Sequence, residues 1–398
     1  MAGTGAIRSS QSVPTSKATV VQEECKLKRT RILHTLCRVY SGGVEQRRVL
    51  LAQGLKPDHY EHALICQEAE GPIPSMLRDA GWAIHEIGLA PSILSPAWHL
   101  RACKIAQAFG PDIVHGAVYE GEALACSIGL AMPKVKVIME ETSDPVNRRW
   151  TGNALMRAMC LRADACVGVS PSVTDYLEKV PRIPKRKIHL INNAVMQKEN
   201  PSPARLSSLR DQFGIKGDDI IVGSVGRIDE DSNKRFSDII RALPAIRSSQ
   251  PTARLLVIGD GADRAMLERL TVELCLSDAV IFAGYQEAPR DFYHLMNVFV
   301  LASVREAFGL VLVEAMLSGV PIVATQVGGM PFVLDHGKAG ILIPPLNPAA
   351  LADAVLSLLA NDELAQSYRA AGLARAMSTF SADRYVNDVA KLYFDILR

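Results

Sequence analysis

The segment VREAFGLVLVEAMLSGVPIVAT, residues 304–325, contains the pattern on which the fold prediction depends. Its middle part predicts a helix over residues 310–318, which Gly319 and Pro321 would end. The last five residues, PIVAT, form a short β-branched run that is typical of a buried strand. A helix that leads directly into such a strand favours a parallel α/β sheet.

The same alternation of strands and helices continues on both sides of this segment. Several predicted strands are continuous apolar runs, which suits strands covered on both faces of a sheet. Helical periodicity is predicted between them, for example over residues 44–54, 97–109, 236–248 and 262–275. The predicted strands span residues 31–36, 61–66, 83–89, 112–118, 135–140, 165–170, 188–192, 220–226, 254–259, 279–284, 298–303 and 321–325.

The pattern lapses between the two halves of the chain, where Pro201 and Pro203 interrupt it. We therefore expect an α/β protein with two Rossmann-like, doubly wound domains. Because ligands bind at the carboxyl ends of the strands in such sheets, the two domains would face each other across a cleft. The predicted units are a flexible tail (1–28), a first domain (29–195), a linker (196–217), a second domain (218–378) and a C-terminal helix (379–398) that returns to the first domain.

Composition excludes several classes of protein. With 48% apolar and 22% charged residues the chain is expected to fold, and a net charge of +2 argues against a nucleic-acid-binding protein. The charge is uneven: residues 1–200 hold 25 Lys or Arg against 19 Asp or Glu, a net +6, and residues 201–398 hold 19 against 23, a net −4. This asymmetry favours an anionic partner for the first domain.

Cysteine usage and hydropathy point to the cytoplasm. The eight cysteines form no C-x-x-C pair and no Cys/His cluster at zinc spacing, which favours reduced thiols. No apolar run reaches the roughly 18 residues that span a bilayer, and the polar tail lacks the apolar region of a secretory signal. The basic groups at residues 47–48, 148–149 and 185–187 are either ordinary solvated charge or a face for anionic lipid headgroups.

The first candidate site is GRIDEDSNKR, residues 226–235. Arg227 follows a predicted strand and Lys234 opens the next helix, so both cations could converge on one diphosphate. The alternative is that both are solvated surface cations on a loop. The acidic string in this segment, residues 229–231, could suggest a divalent metal, but we expect none.

The second candidate site is the opening segment itself. Free backbone N–H groups at residues 308–310 would form an anion site at the start of the predicted helix. Glu306 precedes that helix, and Glu314, more than a turn inside it, could accept hydrogen bonds from a ribose diol. Alternatively, Glu306 is only a favourable charge ahead of a helix and Glu314 lies on a solvated face.

Taken in order, these motifs resemble glycosyltransferase family 4, a family of retaining, nucleotide-sugar-dependent enzymes with the GT-B fold. The resemblance is continuous over residues 220–340, and SGGVEQRRVLLAQGL, residues 41–55, resembles the glycine loop of the first domain. It implies that Arg227 and Lys234 hold the donor diphosphate, that Glu306 touches the transferred sugar and that Glu314 binds the ribose. Phe308, Gly309 and Leu310 would present backbone groups to the sugar or phosphate. Gly42 and Gly43 would let the loop of the first domain approach the donor closely.

The chain departs from the family pattern on the acceptor side. The family often has H-x-H after its fourth strand, whereas this sequence keeps His115 and has Ala117 at the second position. Phe332 also replaces the usual Glu of the last motif. We therefore expect His115 or Glu120 to face the acceptor, with His115 as a catalytic residue beside Glu306, Arg227 and Lys234; alternatively, His115 is a buried histidine at a strand end.

Together, the residues and the resemblance predict a retaining, metal-independent glycosyltransferase without a cofactor. The donor would be a nucleotide-diphosphate sugar and the acceptor a saccharide or a lipid-linked molecule of envelope or exopolysaccharide synthesis, with peripheral contact to an anionic membrane through the basic first domain. Three alternatives stay open, of which a GT-B epimerase has no support in these motifs. Another is a GT-B scaffold that has lost catalysis and binds a nucleotide or partner. The third, an NAD-dependent oxidoreductase, is disfavoured because IGDGADR, residues 258–264, lacks the third glycine of the dinucleotide fingerprint.

Overall fold

Two parallel β-sheets form the framework of the part of the chain that the computed structural model describes, residues 29–40, 42–143, 148–229 and 231–398. The predicted tail, residues 1–28, lies outside the described residues. None of the helices in the described residues is long and apolar enough to cross a membrane.

The first sheet is built from strands that alternate with helices α1 to α6. Its seven parallel strands lie in the order 5-3-1-6-7-8-9, and two further short strands, β2 and β4, pair with each other beside it. The elements are β1 (Thr30–Thr35), β2 (Arg38–Val39), α1 (Gly43–Gly54), β3 (Tyr60–Cys66), β4 (Glu68–Ala69), α2 (Pro72–Asp79), β5 (Ala83–Glu86), α3 (Pro96–Phe109), β6 (Ile113–Ala117), α4 (Val118–Ala131), β7 (Lys136–Glu141), α5 (Trp150–Arg162), β8 (Ala165–Gly168), α6 (Pro171–Lys179) and β9 (Ile188–Leu190).

The second sheet repeats this arrangement with six parallel strands in the order 12-11-10-13-14-15. The elements are α7 (Pro203–Gln212), β10 (Ile220–Val225), α8 (Asp231–Lys234), α9 (Phe236–Ser249), β11 (Ala253–Ile258), α10 (Arg264–Glu273), β12 (Val280–Phe282), α11 (Arg290–Tyr293), β13 (Val298–Leu301), α12 (Leu310–Leu317), β14 (Ile322–Thr325), α13 (Met330–Val333), β15 (Ile341–Ile343), α14 (Pro348–Ala360), α15 (Asp362–Thr379) and α16 (Ala382–Leu397).

Each sheet has a core on both faces, because successive residues of a strand point to opposite sides. In β1, Ile32 and Leu33 are both fully buried, yet they belong to separate hydrophobic clusters. In β10, Ile221 and Val222 are divided in the same way. This two-sided burial explains the apolar runs within several strands, and it confirms the predicted doubly wound architecture.

Strand order places one switch point in each sheet. The chain moves outward from β1 to β5 and then returns to add β6 on the other side of β1. In the second sheet it moves from β10 to β12 and returns to add β13 beside β10. Since ligands of doubly wound sheets bind at the carboxyl ends of the strands at such points, the segments that follow β1, β6, β10 and β13 define the candidate site.

The strand predictions are confirmed, with ends that differ by at most three residues. The structure adds β15 and the short pair β2 and β4, which are too short to stand out in the sequence. The stretch predicted as a linker, residues 196–217, contains one helix, α7. Leu209 and Ile215 of this stretch are buried in the hydrophobic cluster of the second sheet.

The C-terminal helix α16 packs on the first sheet. Val386, Val389 and Leu392 are buried in the same cluster as Leu50 and Leu51 of α1. At the base of α16, the Val195 N–H donates to the Phe380 carbonyl at 3.1 Å. The two segments that connect the sheets, around residues 195 and 380, therefore lie side by side.

Candidate active site

Two predicted site residues meet at the switch point of the second sheet. Lys234 ends α8, after β10, and Glu306 lies in the loop after β13. Their side chains form an ion pair with 2.5 Å between Lys234 Nζ and Glu306 Oε2. The two side chains are 24% and 17% exposed, so the pair is accessible at the edge of the sheet without being fully solvated. A partly desolvated cation and carboxylate can bind a phosphate and a sugar hydroxyl side by side.

The backbone that follows Lys234 is strained. Arg235 has φ 56°, in the left-handed region that non-glycine residues rarely adopt. Its guanidinium holds Asp238 by two bonds, Nε to Oδ2 at 2.9 Å and Nη2 to Oδ1 at 2.6 Å. This fork fixes the turn between α8 and α9, and with it the end of α8 that bears Lys234. Arg227 is exposed and follows the carboxyl end of β10 by two residues.

The helix N-terminus predicted near residue 309 is present. Gly309 has φ 89°, which favours glycine, and it precedes α12. The loop before it is fixed because the Gly329 N–H donates to the Glu306 carbonyl at 2.8 Å. Phe308 is 2% exposed and packs edge-on against Phe380 at 5.3 Å between ring centroids. Phe308 can therefore offer only its backbone to a ligand, whereas the start of α12 offers free N–H groups.

Glu314 is held in place by neighbours from α11. Tyr293 Oη donates to Glu314 Oε2 at 2.9 Å, and Arg290 Nε lies 4.0 Å from Oε1. Burial raises the pKa of Glu314, while Arg290 and Tyr293 oppose that rise. The carboxylate keeps 20% of its surface exposed, so it is oriented but still able to accept a hydrogen bond. The alternative of a solvated helix face does not describe this environment.

The first sheet touches this site at two points. A Cβ at Gly43, the first residue of α1, would overlap Cδ1 of Leu310, the first residue of α12. Ser170, which follows β8, donates its hydroxyl to the Ala307 carbonyl at 2.6 Å. The carboxyl ends of β6 and β7 lie between those of β1 and β8, so they belong to the same edge of the first sheet. Gly42 is exposed at the start of α1, next to the Glu45 carboxylate.

His115 is in a different environment from the one predicted. It lies in the middle of β6, is 1% exposed, and contacts Tyr393 Oη through Nδ1 at 2.8 Å and Glu140 Oε2 through Nε2 at 3.3 Å. Burial, and then the positive charge of Arg48, lower the pKa of His115 to about 4. We therefore withdraw the acceptor-facing and catalytic role of His115, because the side chain is enclosed by β7 and α16.

The predicted surface location of Arg47 and Arg48 is also wrong. Both were predicted as surface charge, yet they are 1% and 0% exposed. Arg47 Nη1 binds Glu140 Oε1 and also reaches Asn193 Oδ1 at 2.5 Å, while Arg48 Nη2 binds Glu140 Oε2 at 2.9 Å. The two guanidiniums hold the pKa of Glu140 well below its usual range despite its burial. We call Arg47, Arg48, Glu140 and His115 the buried network.

The start of α4, which follows the carboxyl end of β6, bears acidic side chains. Glu120, the third residue of α4, is partly exposed there. Burial raises the pKa of Cys37 to about 11, and the negative charges of Glu120, Glu45 and Glu68 contribute to the rise. Val118, between β6 and α4, has φ 63°, which is strained for a β-branched residue and typical of functional edges. Of the two predicted acceptor-side residues, Glu120 is therefore the one that the structure leaves accessible.

Sequence reasoning missed a polar cluster beside this edge. Arg148 Nη2 lies 2.7 Å from Glu141 Oε2, and its guanidinium stacks over the Tyr119 ring at 4.7 Å. Glu122, 1% exposed, lies close enough for the Glu141 charge to add to the burial that raises its pKa well above the usual range. Only the spacing of Glu120 and Glu122 on α4 hinted at this cluster; the approach of Arg148 depends on tertiary packing.

The comparisons with known proteins agree with this geometry. The model of the family described as Glycosyltransferase Family 4 matches residues 41–197, and that of Glycosyl transferases group 1 matches residues 207–375. The chain belongs to the family 4 glycosyltransferases. The two matches meet between the sheets, so both domains of the GT-B fold are covered.

Curated relatives are similar over part of their length. The chain is 28% identical over 246 residues to N-acetyl-alpha-D-glucosaminyl L-malate synthase of Bacillus anthracis, covering 62% of this chain and 63% of the relative. It is 34% identical over 174 residues to phosphatidyl-myo-inositol mannosyltransferase of Mycobacterium leprae, covering 42% and 45%. The match thus spans less than two-thirds of the length of each of these relatives.

Solved structures show the same fold over nearly the whole chain. A glycosyltransferase from Rickettsia africae superposes with a TM-score of 0.82 at 20% identity, covering 94% of this chain and 100% of the other. Anabaena HepE in complex with UDP-glucose superposes with a TM-score of 0.80 at 20% identity, covering 92% and 100%. These neighbours confirm the predicted GT-B architecture.

The described residues contain no candidate metal centre. No group of three or more His, Cys, Asp or Glu side chains in the described ranges could hold a metal ion. The acidic string at residues 229–231 lies partly outside them, because Glu230 is not described.

Proposed function

We propose that this protein is a retaining glycosyltransferase that moves a sugar from a nucleoside diphosphate sugar to a saccharide or lipid-linked acceptor. One observation supports the proposal more than any other: Lys234 and Glu306 meet at the switch point of the second sheet, in front of the start of α12. Cation, carboxylate and helix N-terminus are the groups that a sugar diphosphate requires.

The proposed chemistry is an exchange at the anomeric carbon. Its bond to the β-phosphate oxygen breaks, a bond to the acceptor oxygen forms, and the acceptor proton passes to the departing phosphate. Negative charge grows on the diphosphate as the first bond breaks, so Lys234, Arg227 and the N–H groups at the start of α12 act on the transition state. We favour attack on the same face of the sugar over a covalent intermediate on Glu306, because a single Lys–Glu pair does not establish a covalent nucleophile.

The remaining parts of the donor would extend along α12. Glu314, oriented by Tyr293, is proposed to bind the ribose diol, and Gly43 would let the first domain approach the diphosphate. The UDP-glucose held by HepE supports a nucleotide sugar as the donor class. We propose that the reaction needs no metal, since these protein cations can balance the diphosphate charge.

On the acceptor side we propose Glu120 and the edge formed by β6 and β7. Relatives include a phosphatidyl-myo-inositol mannosyltransferase, and one is named an exopolysaccharide phosphotransferase, so lipid and saccharide acceptors are both represented among them. We further propose a cytoplasmic protein of envelope or exopolysaccharide synthesis that contacts an anionic membrane peripherally. The seven cysteines in the described residues are free thiols, which suits a reducing compartment.

The proposal is tested by thermal-shift screening with UDP-, GDP- and ADP-sugars, followed by donor hydrolysis assays. A ligand that binds only the folded state raises the melting temperature. We expect one nucleotide series to raise it and the matching sugar nucleotide to be hydrolysed slowly without acceptor. Stabilisation without hydrolysis or transfer would instead identify a scaffold that has lost catalysis.

A further inference from the structure

The outer surface of α5 is apolar although nothing in the described residues covers it. Trp150 is 79% exposed and Leu161 is 73% exposed. Ala154 and Ala158 are exposed between them, so the four residues follow one side of the helix at intervals of three or four. A helix normally turns such a stripe toward the core, whereas the core side of α5 is formed by other residues, Met156, Met159 and Cys160.

The end of α4, which contacts the end of α5, bears a further exposed apolar side chain. Arg162 Nε donates to the Gly129 carbonyl at 2.8 Å and so joins the last turns of α5 and α4. Leu130 and Leu161 are the neighbours of these two residues in sequence, and Leu130 is 67% exposed. We call Trp150, Ala154, Ala158, Leu161 and Leu130 the α5 face.

Cations border the α5 face, and the carboxylate that follows α5, Asp164, is paired with Arg162 and Lys136. Arg149, Arg157 and Lys134 are exposed beside it. Residues 129–139 and 148–163 contain no Asp or Glu at all. An apolar stripe bordered by positive charge matches an anionic lipid surface, whereas an acidic rim would repel one. Tryptophan is also the side chain that favours the boundary between lipid headgroups and hydrocarbon.

We propose that the α5 face docks onto the surface of an anionic lipid bilayer. The proposal rests on the proposed function and adds to it the membrane-contacting element. Trp150 opens α5, which follows the carboxyl end of β7, so a bilayer on this face lies beside the proposed acceptor edge. A lipid-linked acceptor could then reach that edge while its chain stays in the bilayer.

The tryptophans provide a direct readout. The sequence has three, and Trp82 and Trp98 are only 4% and 2% exposed, so Trp150 alone can respond to a surface event. The experiment mixes the full chain with vesicles of phosphatidylcholine, and separately with an equal mixture of phosphatidylcholine and phosphatidylglycerol. We expect cosedimentation and a blue shift of tryptophan emission with the anionic vesicles, both weakened by salt.

Three variants distinguish binding through the α5 face from nonspecific adsorption to vesicles. Trp150→Ser and Leu161→Ser should each weaken binding about tenfold or more, since each removes a large apolar side chain from the contact. Arg157→Gln should weaken it about fivefold, as expected for one cation near an anionic surface. Val272→Ser is the matched control: Val272 is an apolar residue of the second domain with 66% exposure, and its loss should change nothing.

Several results would overturn the proposal. These are absence of binding to both vesicles, equal binding to both, binding with unchanged tryptophan emission, or variants that bind as well as the unchanged chain. If the unchanged chain is a dimer in solution and Trp150→Ser and Leu161→Ser make it monomeric, a second copy of the chain covers this face instead. Donor hydrolysis is measured in parallel without vesicles; it tests the enzymatic proposal and should be the same in all four variants.

Discussion

The two halves of this molecule use the same kinds of side chain in opposite ways. In the second domain Lys234 and Glu306 form an ion pair that is 24% and 17% exposed at the carboxyl edge of the sheet. In the first domain Arg47, Arg48 and Glu140 form a pair of salt bridges that are no more than 2% exposed. Water reaches the first cluster and not the second. Accessible charges can exchange partners with a ligand, whereas buried ones are committed to each other and to the fold.

The largest effect is expected from breaking the buried network. Glu140→Gln leaves Arg47 and Arg48 without their counter-ion in the core, which should cost about 3–5 kcal/mol of unfolding free energy. Chemical denaturation followed by circular dichroism measures this. The matched control is Glu61→Gln, whose carboxylate pairs with Arg29 and Arg31 at the surface and should cost less than about 1 kcal/mol. Equal losses in both variants would contradict the distinction between the two kinds of cluster.

In the second domain the corresponding change should affect rate and leave the fold intact. Lys234→Ala removes a proposed donor to the leaving diphosphate, so turnover should fall by about 100-fold or more. Initial rates of donor hydrolysis and the melting temperature are measured together. Lys338→Ala, at a side chain that is 78% exposed in the same domain, is expected to keep the full rate. An unchanged rate for Lys234→Ala would remove this residue from the site.

Acid should act on the first domain through its buried histidines. Burial, and then the charge of Arg48, lower the pKa of His62 to about 3, below the usual value of 6.5. The folded state therefore binds fewer protons than the unfolded state between these values, and stability falls as the pH falls below about 6.5. Each such histidine contributes about 1.4 kcal/mol per pH unit. Unfolding free energies between pH 7.5 and 5 should show a shallower slope in His62→Gln; an identical slope would contradict this.

The smallest effect concerns the contact between the domains. A Cβ at Gly43 would meet the flexible end of Leu310, which can shift, so Gly43→Ala should raise the donor KM only a few-fold. Gly217→Ala is a suitable control, because a Cβ there would meet nothing within 4 Å and φ is not positive. Steady-state kinetics at varied donor concentration measures the donor KM of both variants and of the unchanged chain. A donor KM that does not change would separate Gly43 from the diphosphate.

The contrast between the halves also explains what the sequence could predict. Strand runs such as VFVL, residues 298–301, are apolar throughout and need no tertiary information to be recognised. Lys234 and Glu306 were predictable because each follows a strand, and parallel strands bring their ends to one edge. Arg47 and His115 were not, since a charged residue inside α1 or β6 looks the same in sequence whether water or a buried partner surrounds it. The burial of Arg47 and His115 depends on their partners Glu140 of β7 and Tyr393 of α16, which are about 90 and 280 residues away in sequence.

Nucleotide binding tests the central claim most directly, namely that the second domain grips a diphosphate with Arg227, Lys234 and the start of α12. Calorimetry should compare the nucleoside diphosphate selected by the thermal-shift screen with its monophosphate, in the unchanged chain and in Arg227→Ala/Lys234→Ala. The claim predicts that the unchanged chain prefers the diphosphate by about tenfold or more, and that the double variant loses this preference but still binds both nucleotides. A preference that survives in the double variant would contradict the claim.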